Sequence, residues 1–151
     1  MTSAQKAPRH HQAKKPHRDT PFAPGYGRVK SCLLVITAIL FIAGGVFHFI
    51  NTDSYLKIMP PLIPWPLAMV YLSGAAEVAG GLGLLVPPLR KSASWGLVAL
   101  LIAVFPANIY MAAKNVQVTN TPIPQVLLWA RLPLQALMIW WVLYLGRLRK
   151  Q

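Results

Sequence analysis

Cysteine is all but absent from this 151-residue chain, and acidic residues are nearly as scarce. With Cys32 alone, no intramolecular disulfide, cysteine zinc cluster or CxxC redox pair can form. Cys32 opens the first apolar run, where an inert thiol is expected rather than a palmitoylated one. The acids are Asp19, Asp53 and Glu77, against 15 Lys and Arg, which gives a net charge of +12. Charged residues of both signs make up 12% of the chain, about half the roughly 25% of a water-soluble domain. A nucleic-acid partner is excluded by placement: the basic residues lie between and outside the apolar runs instead of studding folded elements among aromatics. Only His48 among the histidines falls in an apolar run, so a bis-histidine haem is excluded. No zinc or P-loop pattern occurs, and Gly80-Gly81-Leu82-Gly83 sits inside an apolar run, not after a strand, so it is no nucleotide loop.

What is present is hydrophobicity, at 55% of residues and a mean hydropathy of +0.46. It is gathered into four runs at about 31–50, 67–86, 92–112 and 123–145, each long enough to cross a hydrocarbon layer of about 30 Å as a helix. The first is too long, and lacks a small-residue cleavage site, to be a signal peptide. The expected fold is therefore all-α: a four-helix transmembrane bundle over 31–146, contacting the lipid bilayer, with a short basic tail at 147–151. Residues 1–30 are polar, proline-containing and basic, and are expected to be a disordered tail, its His10, His11 and His17 solvated and not metal-bound. Asn51 to Met59 reads as a short interfacial helix capped by Asn51 or Thr52, with Asp53 and Lys57 paired at i,i+4. The prolines from Pro60 to Pro66 end it, and Trp65 anchors the headgroup region.

Counting Lys and Arg orients the bundle. The N-terminal tail, the Arg90-Lys91 loop and the C-terminal tail hold 7, 2 and 3, whereas Lys57 and Lys114 stand alone in the other two loops. The positive-inside rule then places both termini in the cytoplasm. Depth along each helix follows at 1.5 Å per residue: Glu77 lies about 15 Å and Arg131 about 10 Å below the outer boundary. His48 and Asn108 lie near the outer ends of their spans, and Gln135 is one turn from Arg131. All five fall in the outer half or at the midplane, with nothing comparable in the inner half. Ser73, Gly74, Gly80 and Gly81 surround Glu77 on its own helix face, and Gly44 and Gly45 do the same for His48, so both point into the bundle. A glutamate facing lipid would cost about 2.5–3.5 kcal/mol. Arg131, the one basic side chain at reachable depth, is the expected ion-pair partner of Glu77. Asn108 and Gln135 are expected either as interhelical glue or as part of a site.

These residues carry a family resemblance. The stretches 45–49 (GVFHF), 58–64 (IMPPLIP), 71–77 (YLSGAAE), 81–85 (GLGLL), 106–112 (PANIYMA) and 131–135 (RLPLQ) resemble, in order and spacing, the DoxX family of small four-span membrane proteins. The resemblance covers about residues 31–145. It implies a multi-pass protein of the bacterial inner membrane, and some relatives are subunits of quinone-linked sulfur oxidoreductases or associate with redox-stress enzymes. Three readings stand. One is an accessory subunit in which Arg131, Gln135 and His48 donate hydrogen bonds to a quinone or other small amphiphile. The second is a proton-coupled transporter with Glu77 as the carrier. The third is a scaffold that recruits a soluble redox enzyme through its basic tail. None makes the chain a self-contained enzyme.

Overall fold

The computed structural model describes residues 24–118 and 122–147, and all regular structure in them is helical. Four long helices, α1 (Pro24–Ile50), α3 (Pro66–Leu85), α4 (Arg90–Lys114) and α5 (Gln125–Gly146), are long and apolar enough to cross a membrane; a single short helix, α2 (Thr52–Lys57), follows α1. The protein is thus a multi-pass, four-span helical bundle. Large apolar side chains such as Ile36, Leu40, Phe47, Leu72, Ile102 and Leu137 are exposed on its outside, where acyl chains replace water as their surroundings.

The spans agree with the apolar runs to within a few residues, with one larger difference. α1 begins at Pro24 instead of Ser31, so the last part of the expected tail is helical. Proline suits a first helical turn, and a span already nucleated by the membrane extends without a new nucleation cost. The rest of the expected disordered tail, with its three histidines, lies outside the described residues. α2 occupies the expected interfacial position, but neither Asn51 nor Thr52 caps it by a side-chain hydrogen bond. The Thr52 hydroxyl instead donates back to the carbonyls of His48 and Phe49, at 2.9 and 3.2 Å, and so closes the end of α1. At the far end of α4, Asn115 takes the left-handed conformation (φ 50°), and the Val116 amide reaches the Met111 carbonyl at 3.0 Å.

Two kinds of seam hold the bundle. α1 and α3 meet backbone to backbone: a methyl group placed on Gly45 would lie 2.5 Å from the Gly74 carbonyl oxygen, and one on Gly81 2.8 Å from that of Ala38. α4 meets α5 through side chains, with Gly146 of α5 close against Ser94 of α4, and each of these helices contains a proline, Pro106 and Pro133. Toward the end carrying Arg90 and Arg147, here termed the basic end, Ala38, Phe41, Leu84, Leu97, Val98 and Val142 form an apolar core. A smaller cluster of Met111, Ala112 and Leu128 packs against Ile58, Val118 and Ile123 at the opposite end. Between the two clusters lies the space that the polar side chains share.

Candidate functional site

A cavity of about 360 Å³ opens between α1, α3, α4 and α5 and is covered by α2. All five of the polar residues singled out above, His48, Glu77, Asn108, Arg131 and Gln135, line it. Their helices explain the convergence. Gly44 leaves room for the Glu77 carboxyl, since a methyl group there would sit 2.9 Å from Oε2. Gly45 and Gly74 let α1 and α3 approach until His48, 8% exposed, reaches across to α3.

His48 is held from three sides. Its Nδ1 lies 3.1 Å from the Val70 carbonyl oxygen and 3.0 Å from Ser73 Oγ, and Ser73 Oγ itself donates to the Val70 carbonyl at 2.9 Å. A carbonyl can only accept, so this network assigns a proton to Nδ1. The Tyr55 ring, from α2, stacks on the imidazole with centroids 3.8 Å apart. The other ring nitrogen, Nε2, faces Glu77 Oε1 at 3.8 Å.

The structure therefore gives Glu77 a different neighbour from the one expected. Among the described residues its carboxyl forms an ion-pair contact with His48, and no Glu77–Arg131 pair forms. Depth along the helices was a sound guide to which groups share a level. It carries no information on azimuth, and the glycine seam brings α1 to Glu77 while α5 stands across the cavity. Arg131, an exposed residue, instead directs Nη1 at the Met111 sulfur, 3.5 Å away, a weak acceptor, and lines both the cavity and the hollow beside it. The phenol of Tyr55 lies within reach of both charges: burial, with Glu77 adding and Arg131 opposing, raises it above its ordinary value.

Asn108 and Gln135 are also committed differently. Asn108 Nδ2 donates to Gln135 Oε1 at 3.0 Å, and Gln135 Nε2 donates to the Leu101 carbonyl. Pro106 has no amide hydrogen for the Ile102 carbonyl, one residue from the carbonyl that Gln135 bonds. Gln135 is therefore spent on holding α5 to α4. Of the three side chains expected to donate to a ligand, His48 and Gln135 turn inward to protein acceptors, and Arg131 alone keeps free donors.

Ser73, Tyr55 and Met111 join the site without having been anticipated. Ser73 had been read only as a small residue beside Glu77, although a serine one turn from a buried charge is also a donor. Tyr55 sits on an interfacial helix, and nothing in its spacing shows that the helix folds under the bundle. The half toward the basic end is not entirely without polar contacts either: Trp141 Nε1 donates to the buried Thr37 Oγ1 at 3.0 Å, joining α5 to α1. Beyond the cavity, a second hollow of about 320 Å³ shares Tyr55, Ile58 and Arg131 with it and is bordered by Asn51 and Ser54. Ser54 Oγ donates to the Val118 carbonyl at 3.2 Å, tying α2 to the α4–α5 loop. Gln117 closes that loop by bonding both the amide and the carbonyl of Ile123.

Over residues 37–146 the chain matches a family described as a domain of unknown function, DUF8561, and it belongs to that family. No curated protein and no solved structure matches it.

Proposed function

We propose that this DUF8561 protein is an accessory membrane subunit that binds the polar head of a small amphiphile, of which a quinone is the leading candidate. The observation that carries this reading is the cavity's division of labour. Leu101, Val104, Leu134 and Met138 give it apolar walls, Arg131 offers unspent donors, and its volume falls in the range of about 300–1,000 Å³ usual for small-molecule sites. A head group bearing carbonyl or other acceptor oxygens would lie against Arg131, with its tail along the apolar wall. The resemblance to DoxX proteins supports a redox-linked ligand and a redox enzyme as partner. The same resemblance supports placement in a bacterial inner membrane, and the charge pattern supports cytoplasmic termini, so that the cavity lies in the outer half.

A specific observation favours the second reading, a proton-coupled transporter: the Glu77 carboxyl opens onto the cavity without an arginine partner. Purification in mild detergent, mass spectrometry of co-purifying molecules and thermal stability with and without added decylubiquinone test the leading reading. We expect a raised unfolding temperature that Arg131→Gln abolishes while the variant's own stability stays near wild type. No co-purifying molecule and no stabilisation would defeat it. Proton-dependent uptake or efflux abolished by Glu77→Gln, at unchanged abundance, would establish the transporter instead.

A further inference from the structure

The hydrogen-bond network around His48 says more than that the ring is held. Val70 carbonyl and Ser73 Oγ fix the Nδ1 proton, so a neutral His48 presents a bare lone pair at Nε2. That lone pair faces a carboxyl oxygen at 3.8 Å. If the carboxylate were ionised as well, two lone-pair atoms would oppose each other in a site of low dielectric, each without a donor. One proton relieves this, whether it resides on Oε1 or on Nε2, and a second has no acceptor between them.

We propose that His48 and Glu77 form a one-proton binding site on the cavity wall, in which the proton resides on either Nε2 or Oε1. The groups around it are few. Tyr55 on α2 stacks on the imidazole and stays neutral, Ser73 on α3 is already donating, Asn108 on α4 carries no charge, and Arg131 on α5 stands across the cavity as a fixed cation. With the proton bound, the pair is neutral and Arg131 sets the cavity's charge at +1. With it released, the pair is −1 and the cavity is neutral overall. The site thus switches the cavity by one unit of charge, whatever molecule occupies it, and does not depend on the amphiphile reading.

The composition makes a direct test available, because Glu77 is the only glutamate in the chain. Full-length protein in lipid nanodiscs is isotopically labelled at the glutamate carboxyl and the histidine ring nitrogens. Replacing His10, His11 and His17 by asparagine leaves His48 as the single histidine signal. Titration from about pH 4 to about pH 10, read by infrared and magnetic resonance spectroscopy, should show one step shared by the Glu77 carboxyl and His48 Nε2. Nδ1 should remain protonated throughout. Glu77→Gln, whose amide can donate to the bare Nε2, should move the His48 midpoint by about one pH unit or more. A neutral His48 that carries its proton on Nε2, separate steps for the two groups, or a carboxyl that does not titrate would each overturn the proposal. The wild-type signals decide the matter even if the variant fails to fold.

Discussion

The α1–α3 seam makes a sharp prediction because its tightest contact is between backbones. A methyl group on Gly45 would lie 2.5 Å from the Gly74 carbonyl oxygen, 2.8 Å from Val78 Cγ2 and 2.9 Å from the Val78 nitrogen, where ordinary contact begins at 3.4 Å. Neither the carbonyl nor the amide can swing aside, so Gly45→Ala must separate the two helices by about 1 Å, enough to forfeit a quarter to a half of the dispersion energy along the seam. In lipid no hydrophobic term compensates, since acyl chains fill whatever gap opens. We expect a loss of about 1–3 kcal/mol, the usual range for overpacking. That corresponds to roughly a 5- to 150-fold fall in the folding equilibrium constant. Gly96→Ala is the control: nothing lies within 4 Å of its added methyl, so stability should be unchanged or slightly raised. Gly44→Ala is intermediate, because its methyl meets only the far end of one side chain, the Glu77 carboxyl, and no backbone. Equilibrium unfolding in mixed micelles, followed by fluorescence of the five tryptophans, measures all three. If Gly45→Ala proves as stable as Gly96→Ala, the backbone seam is not what holds α1 to α3.

Gln135→Leu should cost about 1–3 kcal/mol in the same assay, because it removes both bonds by which Gln135 ties α5 to α4 and leaves the Asn108 amide without its partner; a loss no larger than that of Leu134→Ala on the cavity's apolar wall would refute this account. For the Thr37–Trp141 bond, a double-mutant cycle of Thr37→Val and Trp141→Phe should give a coupling of about 0.6 kcal/mol, the average for such bonds in membranes, and a coupling of zero would remove the contact from the fold's support. Tyr55 carries a pH signature. Its phenol is raised above 10.0 chiefly by burial, so the folded state holds this proton more tightly than the unfolded chain does. Its contribution is present below the unfolded value and is lost as pH rises through the folded one. Stability measured relative to Tyr55→Phe should therefore fall above about pH 10, and a flat difference would show that the phenol is not buried against the site.

The architecture was legible because membrane physics leaves few choices. A run of about 20 apolar residues must be a helix, so composition alone supplied four spans and an all-α bundle. The sequence showed that five of the polar residues lie at one level, but not how they pair or that Ser73 and Tyr55 join them. Small residues around Glu77 and His48 showed that both point inward, and counting residues along each helix put them at a common level with Asn108, Arg131 and Gln135. What counting could not supply is rotation: whether α1 or α5 stands nearest Glu77 depends on the Gly45–Gly74 contact between segments far apart in sequence. Tyr55 was missed for a related reason. α2 is too short to carry a readable amphipathic pattern, and its position follows from tertiary ties such as Ser54 to Val118.

The two seams also divide the cavity's chemistry. Its Glu77 and His48 wall stands on helices locked by glycine contacts, where the Nδ1 bond to Val70 spans α1 and α3 and tolerates little displacement. Arg131 stands on the other wall, in a helix interrupted by Pro133 and packed on one interrupted by Pro106. Each proline removes a helical hydrogen bond, and α4 and α5 recover one tie at this level through the Asn108–Gln135–Leu101 chain. An apolar cluster bounds the space toward the basic end, and at the other end the space adjoins the second hollow through Tyr55, Ile58 and Arg131. α4 and α5 are held at this level by side-chain bonds, whereas α1 and α3 are held by backbone contact. The Glu77 and His48 wall thus faces the Arg131 wall across one cavity, and the charge carried by the first acts on the guanidinium of the second.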